Sequence, residues 1–330
     1  MNYLSKSDYK VGHDCPTKLY YKKMKYPSQM DADEYLIFLA KGGYAVGKMA
    51  TLYFPEGIEV TAGDPREAIE ITEKYLKMEN VTLFEAAILA DHKLIRVDIL
   101  RKKGKNIDLI EVKSKSFDST KIDELSGSDF KDYLYDIGFQ YLTVKERFPD
   151  CNITPYLYMP DKSKFTKMDG LSFMFTIKDV PTNTRFRKYE VEVEKSLIAQ
   201  ITKENILSMV NVKGIIDNYI STIKKELELL LPSIKSDLIR IDTPLSKKCF
   251  KCEYSCEEKN GYDECWQNMP KPKYHIKDIS RFGNTKAIKA IDDLIAQKRI
   301  SYDELYKLLG DSISDQRRKI QIEYTIANKV

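Results

Sequence analysis

The sequence lacks the features of a membrane-spanning, secreted or disordered chain. Its apolar runs, such as residues 35–40, are much shorter than the roughly 20 residues that span a bilayer. The first residues are polar and do not form the apolar core of a signal peptide. The chain has no low-complexity tract or internal repeat, and 42% of its residues are hydrophobic, which is enough for a buried core. These absences predict a globular cytoplasmic protein without a membrane partner.

Charge of one sign is also scarce. The formal net charge is only +4, and lysines are interspersed with acidic residues along the 330-residue chain. Composition therefore gives weak support for a nucleic-acid partner, and any basic surface has to arise from folding rather than from a charged tail. The length allows one large domain or two modest ones.

Cysteine is rare outside one short segment. Four of the six cysteines fall within residues 249–265, where Cys249 and Cys252 form a Cys-x-x-Cys that is followed by Cys256 and Cys265. Structural disulfides are not expected in a reducing compartment, so this group is predicted to bind a metal. Taken locally, the four cysteines would make a self-contained zinc knuckle.

Hydrophobic periodicity predicts an α/β fold. Helices are predicted at residues 4–26, 31–53, 65–78 and 129–148, in two pieces over 190–234, and at 287–297, 301–309 and 314–328. Strands are predicted at 81–90, 93–101, 107–115, about 154–159 and 171–177. Pro16 is expected to bend or restart the first helix. Three glycines, Gly42, Gly43 and Gly47, are expected to break the second helix or to pack it closely against a neighbour. This order predicts a mixed central sheet flanked by helices.

Two carboxylates and a lysine are predicted to meet on the hairpin of residues 93–115. With a tight turn at Gly104 and Lys105, residues whose numbers sum to 209 face each other, so Asp98 lies opposite Glu111. Strand alternation puts Lys113 on the same face as Glu111. Facing carboxylates repel each other unless a cation lies between them, and Mg²⁺ prefers such oxygen ligands. The alternative is a solvent-facing amphipathic hairpin, but apolar residues flank both carboxylates.

The same residues resemble the catalytic motif of a known nuclease superfamily. Asp98 and, across a short hairpin, Glu111-Val112-Lys113 are similar to the motif of the PD-(D/E)xK nucleases, in particular of the RecB-type branch. In that branch the Asp and the Glu bind a divalent metal ion, and the Lys assists the attacking water. The resemblance implies a restriction-endonuclease-like core.

Two further segments resemble the same branch. Ser5-Lys6-Ser7, followed by Cys15-Pro16-Thr17-Lys18, is similar to its opening helix, and Gln140 is similar to a glutamine near the active site and DNA. The chain departs from the family at Val144, where a tyrosine is usual, and in the glycine-rich helix, which has no histidine. Glu85 is predicted to replace that histidine as a catalytic residue and metal ligand.

The resemblance also implies a four-cysteine iron–sulfur site, as in AddB-like and CRISPR-associated relatives. In those relatives one cysteine comes from the opening helix and three come from a cluster after the nuclease core. The corresponding set is Cys15, Cys249, Cys252 and Cys265, with Cys256 as a spare or alternative ligand. The implied cofactor is 4Fe–4S, and Zn²⁺ stays an alternative because the ligand rules permit either metal.

The domain organisation follows from these assignments. An N-terminal helical part, residues 1–80, is expected to pack on a nuclease core at 81–180. A helical region at 181–246, a Cys-rich metal-cluster segment at 247–270 and a C-terminal helical region at 271–330 complete the chain.

The resemblance implies a Mg²⁺- or Mn²⁺-dependent deoxyribonuclease, and more specifically an exonuclease. Asp98, Glu111 and Glu85 are the predicted metal ligands, and Lys113 and Gln140 complete the predicted catalytic set. The implied substrate is DNA that is single-stranded or has free ends, with a helicase or repair protein as a partner. Two alternatives stay open: a catalytically silent nucleic-acid-binding protein with a structural zinc site, and a redox sensor based on the cysteines.

Overall fold

The chain divides into two units in the computed structural model, which describes residues 2–180, 188–235, 237–279 and 285–327. Unit 1 consists of Met1–Leu19 and Asp33–Arg240. Unit 2 consists of Tyr20–Ala32 and Ile241–Val330. None of the helices in the described ranges is long and apolar enough to cross a bilayer.

Unit 1 is an α/β unit. Its strands are β1 (Leu4–Ser5), β2 (Ile58–Glu59), β3 (Asn80–Ala90), β4 (Lys93–Lys103), β5 (Asn106–Val112), β6 (Asn152–Pro160), β7 (Phe175–Val180), β8 (Lys188–Val193) and β9 (Leu207–Asn211). Its helices are α1 (Lys6–Asp14), α3 (Glu34–Leu52), α4 (Pro65–Leu76), α5 (Lys131–Arg147), α6 (Lys195–Glu204) and α7 (Lys213–Lys235), and the unit boundary falls within α2 (Pro16–Lys23). Short 3₁₀ helices lie at Ile122–Ser126, Ser128–Phe130 and Leu171–Met174.

The central sheet of unit 1 is mixed. Its strands lie in the order β2-β3-β4-β5-β6-β9, and β1 pairs in parallel with β4. Strands β3, β4 and β5 form an antiparallel meander, β2 and β6 add in parallel at either side of it, and β9 pairs antiparallel with β6. Strands β7 and β8 form a separate two-stranded sheet.

Helices cover both faces of the central sheet. Ile110 of β5 belongs to a buried cluster with Met49 of α3 and Ile201 of α6. The next residue, Glu111, accepts a hydrogen bond from Gln140 of α5. Because successive side chains of a strand point to opposite faces, α3 and α6 lie on one side of the sheet and α5 lies on the other.

Most predicted elements are confirmed. The first helix restarts at Pro16, as expected, because proline suits the first turn of a helix but not its interior. The predicted meander of three strands, the following helix and the returning strand correspond to β3, β4, β5, α5 and β6. The last three predicted helices are α9 (Thr285–Ala296), α10 (Tyr302–Leu308) and α11 (Ile313–Ile326), although the predicted end at residue 328 lies outside the described residues.

Four local predictions are wrong. Helix α3 runs unbroken through Gly42, Gly43 and Gly47, and a Cβ added at any of them would meet nothing within 4 Å, so these glycines mark neither a break nor a close contact. The region at 190–234, predicted as wholly helical, contains β8 and β9, because β8 pairs with the preceding strand β7 and β9 pairs with β6, about 50 positions earlier. Strand β7 begins at Phe175, after a 3₁₀ turn, and β5 ends at Val112 rather than at residue 115.

Unit 2 is helical, with its own apolar core. Its helices are α8 (Gly261–Trp266), α9 (Thr285–Ala296), α10 (Tyr302–Leu308) and α11 (Ile313–Ile326), with 3₁₀ helices at Gln29–Ala32, Lys247–Lys251 and Ile276–Asp278. Trp266, Ile276 and Leu305 belong to its buried cluster. A Cβ on Gly261 would lie 2.8 Å from the ring of Tyr21, so only glycine allows this approach.

Candidate active site

The register of the β4–β5 hairpin brings Asp98 and Glu111 to facing positions. The paired residues run from Lys103–Asn106 to Ile99–Ile110, and the turn contains Gly104 at φ +55°. Each pair sums to 209, so the predicted register is confirmed and Asp98 and Glu111 occupy the next step beyond the last pair. The first element of the candidate site therefore follows directly from a two-residue turn.

The hydrogen-bond ladder of the sheet is interrupted at Asp98 on both sides of β4. Pairing of β3 with β4 reaches Phe84–Ile99 and resumes at Ala86–Val97, so it passes over Glu85 and Asp98. Glu85 has φ +54°, a left-handed backbone in the middle of a strand. On the other side, the backbone N–H of Val112 donates to Asp98 Oδ2 at 2.7 Å instead of to a strand carbonyl. Both Glu85 and Asp98 thus stand where ladder hydrogen bonds are interrupted.

Glu111 is the buried centre of the candidate site. Glu111 is only 1% exposed. Both of its carboxylate oxygens accept hydrogen bonds. Oε1 accepts from Lys113 Nζ at 2.7 Å and from Lys6 Nζ at 3.0 Å. Oε2 accepts from Gln140 Nε2 at 2.7 Å and from Lys6 Nζ at 3.2 Å. These four contacts use the roughly four acceptor positions that a carboxylate has.

Gln140 holds Glu111 from helix α5. Its side chain is fully buried and its amide nitrogen donates to Glu111. Among the described residues, the amide oxygen Oε1 is buried without a hydrogen-bond donor. Such an unpaired buried oxygen costs free energy and is common at functional sites. The predicted place of Gln140 beside the carboxylates is what the structure shows, whereas its catalytic role stays a prediction.

Lys113 is held on two sides by carboxylates. Its Nζ lies 2.6 Å from Asp136 Oδ2 and 2.7 Å from Glu111 Oε1, and it lies 5.1 Å from the centre of the Tyr133 ring. Asp136 was not among the predicted site residues, although it precedes Gln140 by four positions and so shares its helix face. That spacing was the signal available in the sequence.

Lys6 is the second cation of the candidate site, and no role is predicted for it from the sequence. Lys6 Nζ contacts both Glu111 oxygens and lies 3.8 Å from Asp98 Oδ1. It is the first residue of α1, whose start is fixed by reciprocal hydrogen bonds between Ser5 and Asp8. The sequence placed Lys6 in an opening motif, but its contact with Glu111 spans 105 positions and follows from no local pattern.

The charges in this cluster shift each other's pKa values. Burial and the neighbouring Glu111 carboxylate raise the pKa of Asp98 to about 7. Burial also opposes the charge of Glu111, but the ammonium groups of Lys113 and Lys6 outweigh it and hold the pKa of Glu111 below its ordinary value. Burial raises the pKa of Glu85, an effect that Lys6 partly offsets. Glu85 is therefore in electrostatic reach of the other carboxylates.

The donor set fits a divalent cation bound with water and substrate. The carboxylates of Asp98, Glu111 and Asp136 contact the ammonium groups of Lys6 and Lys113. The carboxylate of Glu85 is close enough to Lys6 and Arg96 for their charges to offset part of the rise that desolvation causes in its pKa. In the part of the chain that the structure describes, no three His, Cys, Asp or Glu side chains form a ready-made metal site. Mg²⁺ is commonly held by only one or two carboxylates, with water and phosphate as its other ligands.

The predicted cysteine ligands come from both units. Cys15 follows α1 in unit 1, whereas Cys249, Cys252 and Cys265 pack against the apolar core of unit 2. The thiol of Cys256 instead donates to the carbonyl oxygen of Pro27 at 3.3 Å. Since the described residues contain no group of three metal ligands, the geometry does not supply an iron–sulfur or zinc site, and the cluster stays a prediction from the sequence.

Comparisons with known proteins add no relative. The chain matched no protein-family model, no curated protein and no solved structure. The chemistry of the candidate site is therefore argued from its own residues and their geometry.

Proposed function

We propose that this protein is a metal-dependent nuclease with a restriction-endonuclease-like core that hydrolyses DNA phosphodiester bonds. One observation carries the proposal. Asp98 and Glu111 lie opposite each other where the ladder hydrogen bonds of the sheet are interrupted, and the Lys113 ammonium lies 2.7 Å from Glu111. A buried carboxylate such as Glu111 opposite a half-buried one such as Asp98 is costly unless cations balance the two charges. The pair therefore supports a functional site rather than a solvent-facing hairpin.

The side chains have separable roles under this proposal. Asp98 and Glu111 would hold Mg²⁺ or Mn²⁺, with Glu85 as the third nearby carboxylate. Such an ion supplies Lewis-acid chemistry, which polarises a phosphoryl oxygen and balances its charge. Gln140 positions Glu111 because its amide fixes one carboxylate oxygen. The polar contacts of Glu111 hold it in the orientation that ion binding requires.

Lys113 acts as a positive group rather than as a base. Burial lowers its pKa, but Glu111 and Asp136 outweigh that effect and hold the pKa above its ordinary value. An ammonium group that stays protonated cannot accept a proton from water. It orients the attacking water through a donated hydrogen bond and offsets negative charge on the phosphate.

The finer parts of the proposal rest on the sequence resemblance alone. They are exonuclease action, DNA that is single-stranded or has free ends, a helicase or repair partner, and a structural 4Fe–4S cluster. Iron and zinc content of the purified protein separates the two metals for the cysteines: stoichiometric zinc in a colourless protein would exclude the cluster.

One observation favours the silent-binding alternative. Lys6 and Lys113 already donate to Glu111, so the site has counter-charges of its own without a divalent ion. A protein with such a site would bind nucleic acid without cleaving it, and cleavage assays separate the two functions.

The test is digestion of end-labelled single- and double-stranded DNA with Mg²⁺, Mn²⁺ or EDTA. Asp98→Asn and Lys113→Met are expected to slow metal-dependent cleavage by about a hundredfold or more, because each removes a charged group from the reacting centre. Asp108→Asn is the matched control, since Asp108 lies on the neighbouring strand β5 of the same hairpin but pairs with Arg101. Cleavage that survives Asp98→Asn would refute the mechanism, and DNA binding without cleavage in any metal would favour the alternative.

A further inference from the structure

Lys6 occupies the place between the two carboxylates on which the proposed function depends. Its ammonium contacts both oxygens of Glu111, at 3.0 and 3.2 Å, and is 3.8 Å from Asp98 Oδ1. Of the two ammonium groups in the cluster, Lys6 is the one that forms ion pairs with both Asp98 and Glu111. An ion bound by these two carboxylates would lie in the same space.

The place of Lys6 is determined by the sheet rather than by its own helix. Leu4 and Ser5 pair in parallel with Lys93 and Leu94 at the start of β4, the strand that carries Asp98. A lysine in the first turn of a helix is disfavoured by the helix dipole, whose positive end lies there. The carboxylates of β4 and β5 supply the compensating attraction.

An ion that binds Glu111 has to displace one of the hydrogen-bond donors to its carboxylate. The two oxygens already accept four hydrogen bonds, two from Lys6 and one each from Lys113 and Gln140. Gln140 is fully buried, and Lys113 is anchored by Asp136 at 2.6 Å. The side chain of Lys6 is 27% exposed and can turn to solvent, so it is the donor that gives way.

We infer that Lys6 is an internal counter-ion that exchanges with the divalent cation at Asp98 and Glu111. Lys6 balances the carboxylates when no ion is bound and is released when one binds. This inference rests on the proposed function only in requiring that an ion binds there. It predicts that Lys6 lowers the affinity of the site for metal and stabilises the protein in chelator.

The experiment measures binding of MnCl₂ alone by calorimetry, together with thermal unfolding in EDTA and in excess MnCl₂, without nucleic acid. Lys6→Met is expected to bind Mn²⁺ about tenfold more tightly than the parent. It is also expected to unfold at a lower temperature than the parent in EDTA and to gain more from Mn²⁺. Lys10→Met, an exposed lysine one turn further along α1, is the control for long-range charge and should change the affinity much less.

Each other outcome overturns the inference. Equal or weaker Mn²⁺ binding by Lys6→Met shows that no exchange occurs, and leaves the nuclease proposal standing if the parent cleaves DNA. Equal tightening in Lys6→Met and Lys10→Met assigns the effect to general charge. Absence of binding in the parent and in both variants overturns the inference alone, because metal-dependent cleavage of DNA tests the proposed function separately. Lys6→Gln is a second variant in case the methionine form does not fold.

Discussion

Glu85 combines an unfavourable backbone with an unfavourable charge. Its φ of +54° lies in the left-handed region, which costs about 1 kcal/mol or more for a residue with a Cβ. Arg96 fixes this conformation, because its guanidinium donates to the carbonyl oxygens of Glu85 at 3.2 Å and Val60 at 3.3 Å. Glu85 as a whole is exposed, but desolvation of its carboxyl raises the pKa of that group. Strain of this kind is found preferentially at functional sites, which supports the proposed role of Glu85 beside Asp98.

Replacing Glu85 by glycine or alanine separates backbone strain from charge. Both substitutions remove the carboxylate, and both are expected to lower nuclease activity. Glu85→Gly is expected to be about 1 kcal/mol more stable than Glu85→Ala, because only glycine adopts this φ without strain. Denaturant unfolding of the two variants measures the difference. An alanine variant as stable as the glycine variant would show that the backbone at this position is unstrained.

Asp161 provides a pH-dependent contribution to stability away from the catalytic cluster. The residue is 5% exposed and accepts hydrogen bonds from Ser119, Ser163 and Ser208. Burial opposes its charge, but these hydrogen bonds outweigh burial and hold its pKa well below the ordinary value of 3.8. A carboxyl with a depressed pKa stabilises the folded state above its unfolded pKa, and that contribution is lost as the pH falls further.

Asp161→Asn should therefore destabilise the protein by about 1–3 kcal/mol near pH 7. The difference from the parent should stay constant down to about pH 4 and then shrink at lower pH, since the parent carboxyl takes up a proton on unfolding there. Urea unfolding of both proteins between pH 3 and 7 measures it. A difference that does not change with pH would mean that the charge of Asp161 is irrelevant.

At the residue scale, the sequence predicts the facing carboxylates but not all their partners. The positions of Asp98 and Glu111 follow from a short turn and strand alternation, both of which are local. Lys6 reaches Glu111 across 105 positions, so its place depends on how β1 docks on β4. Long-range packing of that kind leaves no periodic signal in a single sequence.

Helices α5 and α7 are packed closely at one glycine. A Cβ on Gly138 of α5 would lie 2.5 Å from Cδ1 of Ile223 of α7. This contact matters to the candidate site because α5 also carries Asp136 and Gln140. The separation of the two helices is therefore set by a residue two positions from Asp136, which holds Lys113, and two from Gln140, which holds Glu111.

Gly138→Ala is expected to destabilise the protein by about 1–3 kcal/mol through overpacking, although alanine favours a helix by about 1 kcal/mol. Ile223→Val removes the clashing methyl group and alone should cost about 1 kcal/mol. The double variant is expected to be more stable than Gly138→Ala, and a double-mutant cycle from denaturant unfolding gives the coupling. Strictly additive effects would show that the two helices separate freely at this point.

At the element scale, long amphipathic segments are predicted well and short strands are not. Helices α4 and α5 carry caps or regular apolar spacing that can be read from the sequence. Strand β9 has only five residues and is defined by its pairing with β6, about 50 positions earlier. The glycines of α3 mislead for a related reason, since tertiary context allows a helix that local propensity disfavours.

At the scale of the whole chain, the candidate site lies within unit 1. Its carboxylates and lysines come from β3, β4, α1, α5 and the end of β5, which all belong to that unit. The predicted set of four cysteines is instead divided, with Cys15 in unit 1 and the other three in unit 2. The alternating pattern of a hairpin predicts a site inside one unit, whereas cysteine spacing alone does not show which thiols meet.

The central claim is that Asp98 and Glu111 form a metal-dependent hydrolytic centre. The most direct measurement is the initial rate at which the parent and Asp98→Asn digest end-labelled single-stranded DNA at the same Mg²⁺ concentration. Equal melting temperatures in EDTA serve as the folding control. The predicted result is parent cleavage that EDTA abolishes and that Asp98→Asn reduces by about a hundredfold or more. Cleavage of equal rate by both proteins would contradict the claim.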